Sequence, residues 1–244
     1  MTRSCIVGAS AGLGRSLAEE LGKRGHDLLL VASDPRDLKA LAADVAIRFK
    51  VDARWIALDL AGDGLSPLIV QGKSDACRID NLIVVAGIFL ATDGVETNDV
   101  DICQIITTNM LSPIRLINAF LPDLKDRKHS NIVGVGSVAA GRPRRRNAVY
   151  SSSKSGLEFY FEALRHDLVE RSCNVQFYRL GFLQTSMTYG KRVALPAMEP
   201  GAAATIIADN LGRDVGVQYL PRWWWIIVSA LNAIPFRLFR HLNP

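Results

Sequence analysis

Cysteine and histidine are scarce in this chain of 244 residues, four of each. Cys5, Cys77, Cys103 and Cys173 lie far apart with no CxxC pair, which argues against a disulfide framework or a cysteine-based zinc site. Each sits in or beside an apolar stretch, so buried free thiols are expected, as in a reducing compartment. His26, His129, His166 and His241 show no metal-ligand spacing, and no metal is expected. Also missing is any apolar run of the roughly 20 residues that a membrane-spanning helix needs. The N-terminus has no long apolar core followed by a cleavage site, so no secretory signal is expected. There are no repeats or low-complexity segments. Without zinc-finger spacing or an aromatic-rich basic strand, nucleic acid is not an expected partner.

What is present suits one folded unit. Hydrophobic residues make up 49% and charged residues 22%, as in a globular domain able to bury its own core. The net charge of +5 permits attraction to phosphates or an anionic membrane surface and no more. Short β-rich runs alternate with longer helical ones. Strands are expected at Ser4–Val7, Leu28–Ala32, Ala53–Leu58, Leu82–Val85, Ile132–Val135, Val175–Tyr178 and Val217–Leu220. Helices are expected at Gly12–Arg24, from Pro35 through Val45, at Val100–Leu121 ending before Pro122, and at Tyr150–Arg171. Repeated β-α-β units predict an α/β, doubly wound Rossmann fold. Its parallel sheet of about seven strands carries helices on both faces. Residues 1–220 form that domain and 221–244 an apolar and basic tail.

Gly8-Ala9-Ser10-Ala11-Gly12-Leu13-Gly14 joins the first strand to the first helix. A strand-end glycine permits a tight turn, and the next ones let backbone approach a pyrophosphate and the helix pack on the sheet. Free N–H groups at the helix start then face the phosphates. Further along, Ser137 ends the fifth strand and Tyr150 and Lys154 share one helix face. A tyrosine near pKa 10 is a poor acid–base group at neutral pH. A nearby ammonium stabilises its phenolate and is expected to lower that pKa.

The glycine spacing GxxxGxG, Ser137 and Tyr150-x-x-x-Lys154 together resemble the short-chain dehydrogenase/reductase family over about residues 3–190. The resemblance implies an NAD(P)-dependent oxidoreductase that moves hydride between nicotinamide and a carbonyl or hydroxyl carbon. It assigns Tyr150 to proton transfer, Ser137 to polarising the substrate oxygen and Lys154 to the nicotinamide ribose. Asn109 would order a proton-relay water. Gly8, Ser10, Gly12, Leu13 and Gly14 would cradle the cofactor's pyrophosphate, and Asp59 and Leu60 its adenine. Ala86 and Gly87 resemble the end of the family's NNAG motif, and Leu183 and Thr185 lie in the segment that wraps the carboxamide.

Three positions depart from the family. Val84-Val85 replaces the two asparagines of NNAG, and Leu180-Gly181 stands where Pro-Gly is usual. The end of the second strand reads Ala32-Ser33 with no acid for the ribose diol, which favours NADP over NAD. Ser33 and Arg36 would face a 2′-phosphate, unless Asp34 turns inward.

Arg142, Arg144, Arg145 and Arg146 crowd the connection before Tyr150. They suit a substrate phosphate, phospholipid headgroups or simple solvation. Trp223–Ile234 is apolar but short, and Pro235 interrupts it before Phe236, Arg237, Leu238, Phe239 and Arg240. Such a tail, 221–242, suits a membrane interface, a subunit seam or a substrate lid. Its loose likeness to reductases of lipid-linked substrates suggests a polyprenyl phosphate-linked keto-sugar as substrate. A small ketone or 3-oxoacyl thioester is the alternative, and an NADP-sensing regulator the non-enzymatic one. The expected setting is cytoplasmic, peripheral at the inner face of a membrane, with a homodimer or tetramer as assembly. A sugar-nucleotide epimerase would need a larger C-terminal domain.

Overall fold

The computed structural model describes residues 2–62, 64–74, 78–142, 144–185 and 195–242. Seven parallel strands form its sheet: β1 (Arg3–Val7), β2 (Asp27–Ala32), β3 (Ala53–Ala57), β4 (Asn81–Val84), β5 (Asn131–Ser137), β6 (Asn174–Leu180) and β7 (Val217–Leu220). Their order is β3-β2-β1-β4-β5-β6-β7. The order reverses between β1 and β4, and a crevice opens beyond the carboxyl ends of the strands at such a reversal.

Strand alternation builds two cores. Cys5, Val7, Leu29 and Val31 face one side, where they meet Phe120 and Phe161. Ile6, Leu28 and Leu30 face the other, against Leu17, Leu38 and Ile207. The second face is covered by α1 (Gly12–Lys23), α2 (Pro35–Phe49) and α7 (Pro200–Asn210). The first is covered by α3 (Ser66–Lys73), α5 (Ser112–Leu124) and α6 (Ala148–Asp167). Both layers of the expected fold are therefore present. The sequence pattern predicts no helix at α3 or α7, and the structure has both. Pro122 does not end its helix as expected but stands inside α5. Cys103 is also corrected: it is exposed, on α4 (Asp99–Ile106), whereas Cys5 and Cys173 are buried. The buried side chain of α4 is Ile105, so the Cys103 face turns outward. Cys77 lies outside the described residues.

At the end of the sheet away from the crevice, Ser4, Asn81, Asn131 and Asn174 stand in register on four strands. Asn81 Nδ2 donates to Ser4 Oγ at 2.9 Å, and Asn131 Nδ2 to Asn81 Oδ1 at 2.7 Å. Asn174 Nδ2 reaches Asn131 Oδ1 at 3.4 Å. Buried amides are tolerated when they satisfy each other in this way. At the crevice end, Val84-Val85 needs no side-chain bond: Val85 N and Ala86 N both donate to Val7 O, at 3.0 and 2.9 Å.

Candidate active site

The crevice is a cavity of about 1120 Å³ running from Ser33 and Asp59 to Tyr150 and Lys154. Its end at β1 and α1 is built from backbone. Gly8 has φ +97°, a conformation that favours glycine, and its N–H donates to Val31 O at 2.7 Å. A Cβ on Gly14 would lie 1.9 Å from Gly8 O. Backbone thus fills the space where side chains would stand. The helix α1 begins at Gly12 and has no side chain capping its first N–H groups, which leaves them for an anion. Gly8, Ser10, Gly12, Leu13, Gly14, Ser33, Asp59, Leu60, Ala86, Gly87, Leu183 and Thr185 all line this cavity.

Asp34 does not line it. Its carboxylate caps α2, accepting from Arg36 N at 2.8 Å and Asp37 N at 3.4 Å. These bonds hold its pKa below the usual carboxylate range. Arg36, expected to face a 2′-phosphate, is also absent from the lining and instead pairs with Asp34 at 3.4 Å.

At the end formed by β5 and α6, Ser137, Tyr150 and Lys154 come together on the cavity wall. Ser137 Oγ accepts the Ala139 N–H at 3.1 Å and hydrogen-bonds the Tyr150 hydroxyl. Burial pushes the Tyr150 phenol up and the Ser137 bond opposes that rise. The expected lowering by Lys154 is not found. Lys154 is 3% exposed, and its Nζ donates to Val135 O at 3.1 Å and Ala86 O at 3.4 Å. Burial brings its own pKa down to about 8, because desolvation disfavours the charged form. A Cβ on Gly87 would lie 2.8 Å from that Nζ, so the glycine makes its room.

Asn109 stands behind the wall and not on it. It sits in a π-helical segment, Thr107–Leu111, between α4 and α5. Its Oδ1 accepts from Ile88 N at 2.8 Å, and its Nδ2 donates to Ile88 O and Ser153 Oγ at 3.0 and 3.1 Å. The side chain holds the strand extension after β4 and is not turned to the cavity. Thr108 is the π-segment residue that lines it.

Phe89 and Asp93 line the cavity without belonging to any motif of the sequence. Phe89 meets Tyr150 edge-on with centroids 5.7 Å apart. Asp93 is 5% exposed and bonds the start of α6. Arg142, grouped by sequence with the phosphate-gripping arginines, is instead engaged by the tail. Its guanidinium donates to Asn232 O at 3.0 Å and Ile234 O at 2.8 Å, and lies 4.2 Å over the Phe239 ring. Arg146 does line the cavity.

The tail forms α8 (Trp224–Ala233) and a short turn, α9 (Phe236–Phe239). Trp224 and Val228 are buried with Val138, against Phe182 and Tyr219. Trp224 packs edge-on to Phe182 at 5.6 Å and directly over Gly181. Its inner face therefore backs Gly181 and Phe182, which line the cavity. Trp225, Ile226, Phe236, Leu238 and Leu242 point outward, each at least 49% exposed. Among the described residues no helix is long and apolar enough to cross a membrane.

A sequence profile of the family described as short chain dehydrogenase matches residues 3–196. The chain belongs to that family. As a short-chain dehydrogenase it is an NAD(P)-dependent oxidoreductase by family. It is 27% identical to the very-long-chain 3-oxoacyl-CoA reductase of Podospora anserina, over 98% of this chain and 75% of the relative. It is 26% identical to the inactive hydroxysteroid dehydrogenase-like protein 1 of Pongo abelii, over 91% of this chain and 73% of that one. Among solved structures, a short-chain dehydrogenase from Sphingobium yanoikuyae in complex with NADPH has a TM-score of 0.82. It is 27% identical, and the match covers 100% of this chain and 97% of that one. The short-chain dehydrogenase fold explains the crevice. Its glycine cradle, which only backbone fills, fits a dinucleotide pyrophosphate.

Proposed function

We propose that this short-chain dehydrogenase reduces the carbonyl of a 3-oxoacyl thioester, with NADPH as its cofactor. Within the chain, residues 1–220 make the catalytic domain and 221–244 its tail. The observation that carries the reaction type is the meeting of Ser137, Tyr150 and Lys154 at one end of the cavity. Bound NADPH supplies the hydride. Gly8, Ser10, Gly12, Leu13 and Gly14 hold its pyrophosphate, Asp59 and Leu60 its adenine, and Lys154, Ala86, Gly87, Leu183 and Thr185 its nicotinamide half. Ser137 Oγ–H polarises the carbonyl oxygen. Tyr150 gives that oxygen its proton, and the phenol's raised pKa keeps the proton in place until it is needed. Asn109 fixes the loop at Ile88 beside them.

NADPH is preferred to NADH because Ser33 lines the cavity while the neighbouring acid, Asp34, is tied to the start of α2. The Sphingobium relative holding NADPH supports the same choice. For the substrate, Ile88, Phe89 and Phe182 give the Tyr150 end an apolar wall, and Arg146 adds a cation for the phosphates of an acyl carrier. Similarity to a 3-oxoacyl-CoA reductase agrees with this. A lipid-linked keto-sugar is the second reading. It is favoured by the outward apolar face of the tail, whose Arg222, Arg237 and Arg240 suit an anionic lipid surface. A regulator that only senses NADPH has no use for the Ser137–Tyr150 bond.

NADPH oxidation by the purified chain tests this, with acetoacetyl-CoA, a long-chain 3-oxoacyl-CoA and simple ketones, with and without anionic vesicles. Turnover of the thioesters is expected, with NADH at least about tenfold poorer. Tyr150→Phe should lower kcat by about 1000-fold and leave the NADPH Kd within about threefold. Undiminished turnover by Tyr150→Phe sinks the mechanism. Turnover confined to vesicle-bound keto-sugar substrates replaces the thioester with the second reading.

A further inference from the structure

The first turn of α6 carries Tyr150 and lacks an ordinary cap. An α-helix leaves its first N–H groups without partners, and the residue before the first turn usually supplies a side-chain acceptor. Here that residue is Asn147, at φ +67°, and its side chain caps nothing. The acceptor comes from far away in sequence. Asp93, in the loop between β4 and α4, takes the Val149 N–H on Oδ1 at 2.9 Å and the Tyr150 N–H on Oδ2 at 2.8 Å. Its backbone carbonyl accepts from Asn147 N at 3.3 Å. A carboxylate at a helix N-terminus also meets the positive end of the helix dipole.

The same loop is pinned at its other end. Asn109 binds both backbone groups of Ile88 and reaches Ser153, on α6 one turn beyond Tyr150. Between the two pins lie Phe89 and Ala91, which line the cavity. Asp93 itself lines it and is 5% exposed. The cavity wall and the start of α6 are thereby joined into one body.

We infer that Asp93 is a positioning residue for the reaction: it holds the first turn of α6, and with it the Tyr150 hydroxyl, against Ser137. The inference rests on the function proposed above. Its effect is indirect, since both carboxylate oxygens are engaged by backbone N–H groups. A misplacement of about 1 Å in a reacting group can cost on the order of 100-fold in rate. The glycine cradle lies at the other end of the cavity and shares no bond with Asp93, so cofactor affinity should be spared.

Asp93→Ala and Asp93→Asn are compared with Thr97→Ala and Tyr150→Phe, using acetoacetyl-CoA and NADPH as probes. Thr97 ties the same loop through Gly94, at 2.8 and 2.9 Å, with both bonds inside the loop. Asp93→Ala should lower kcat about 30- to 100-fold, with the NADPH Kd changed less than threefold. Asp93→Asn keeps one acceptor oxygen and should recover part of that loss. Thr97→Ala should lower Tm while kcat stays within about threefold. Wild-type kcat in both Asp93 variants overturns the inference, and so does a loss of cofactor affinity that matches the loss of kcat. If wild-type protein turns over no thioester, or Tyr150→Phe is fully active, the proposed function falls and this inference falls with it.

Discussion

The two ends of the cavity are built by different means. Around β1, α1 and β4 the walls are backbone: Gly8 and Gly14 touch, and Val7 O takes two N–H groups from the start of the next loop. Around α6 the wall is made of side chains from distant stretches, with the tail packed behind Gly181 and Phe182. Asp93 holds α6, Arg142 holds α8, and Trp224 lies over Gly181. A backbone wall admits one local solution and tolerates little change. A side-chain wall can be re-formed by substituting its members, which suits the end that must fit a particular substrate.

Gly14→Ala is the strongest way to break that contrast. The new methyl group would meet Gly8 O at 1.9 Å and Gly8 C at 2.8 Å, and neither is a flexible side-chain end. Overpacking of this kind costs about 1–3 kcal/mol, so the NADPH Kd should rise by up to roughly 100-fold. Gly201→Ala, at the exposed start of α7 with nothing within 4 Å of the new carbon, should leave binding unchanged. Fluorescence titration of NADPH measures both. Equal affinities would show that the cradle yields, and the contrast would lose its physical basis.

The same contrast explains what could be read from the sequence. The glycine spacing records a steric requirement between residues a few positions apart, so the strand–turn–helix and its cradle were legible. Ser137, Tyr150 and Lys154 were picked out through the family resemblance, because helix spacing alone would also fit an incidental Tyr–Lys pair on a solvated face. For Asp34, the sequence left both directions open, and only the bonds from Arg36 N and Asp37 N show its carboxylate engaged by α2. Asp93 was not legible. Nothing within its own loop reveals that its partners are Val149 and Tyr150. For the tail, alternating aromatic and basic residues announced two faces but not what the inner face meets. Arg142 looked like one charge among four until Asn232 O and Ile234 O were found beside it. The π segment around Asn109 left no signal that a regular helical pattern would not also give.

Lys154 belongs to both ends, and its titration sharpens the comparison. Its ammonium is held by backbone carbonyls, and burial brings its pKa down to about 8. The group is charged below that pH and neutral above it. In the proposed reaction, loss of the charge removes a hold on the cofactor ribose. In the direction of carbonyl reduction, kcat/KM should therefore fall through pH 8, approaching about tenfold per unit on the alkaline side. A profile that stays flat to pH 9.5 contradicts this assignment.

Arg142→Ala should have the smallest and most local effect. The wild-type guanidinium donates to two carbonyls at the C-terminal end of α8, where a helix has acceptors without partners and negative partial charge. It also stacks on Phe239. Charged hydrogen bonds contribute roughly 1.5–3 kcal/mol when buried and less when half-exposed, and the cation–π contact about 0.5–1 kcal/mol. About 2 kcal/mol of local stability should be lost, which corresponds to amide exchange about 30-fold faster across α8 and α9. Amides of β1 to β5 should exchange at their original rates, because Arg142 bonds none of those strands. Arg142→Lys keeps the charge but loses the planar fork, so it should fall between the two. Exchange in residues 224–239 that changes less than threefold would mean that Trp224 and Val228 hold the tail alone. The tail would then depend on apolar packing, with Arg142 adding little to its stability.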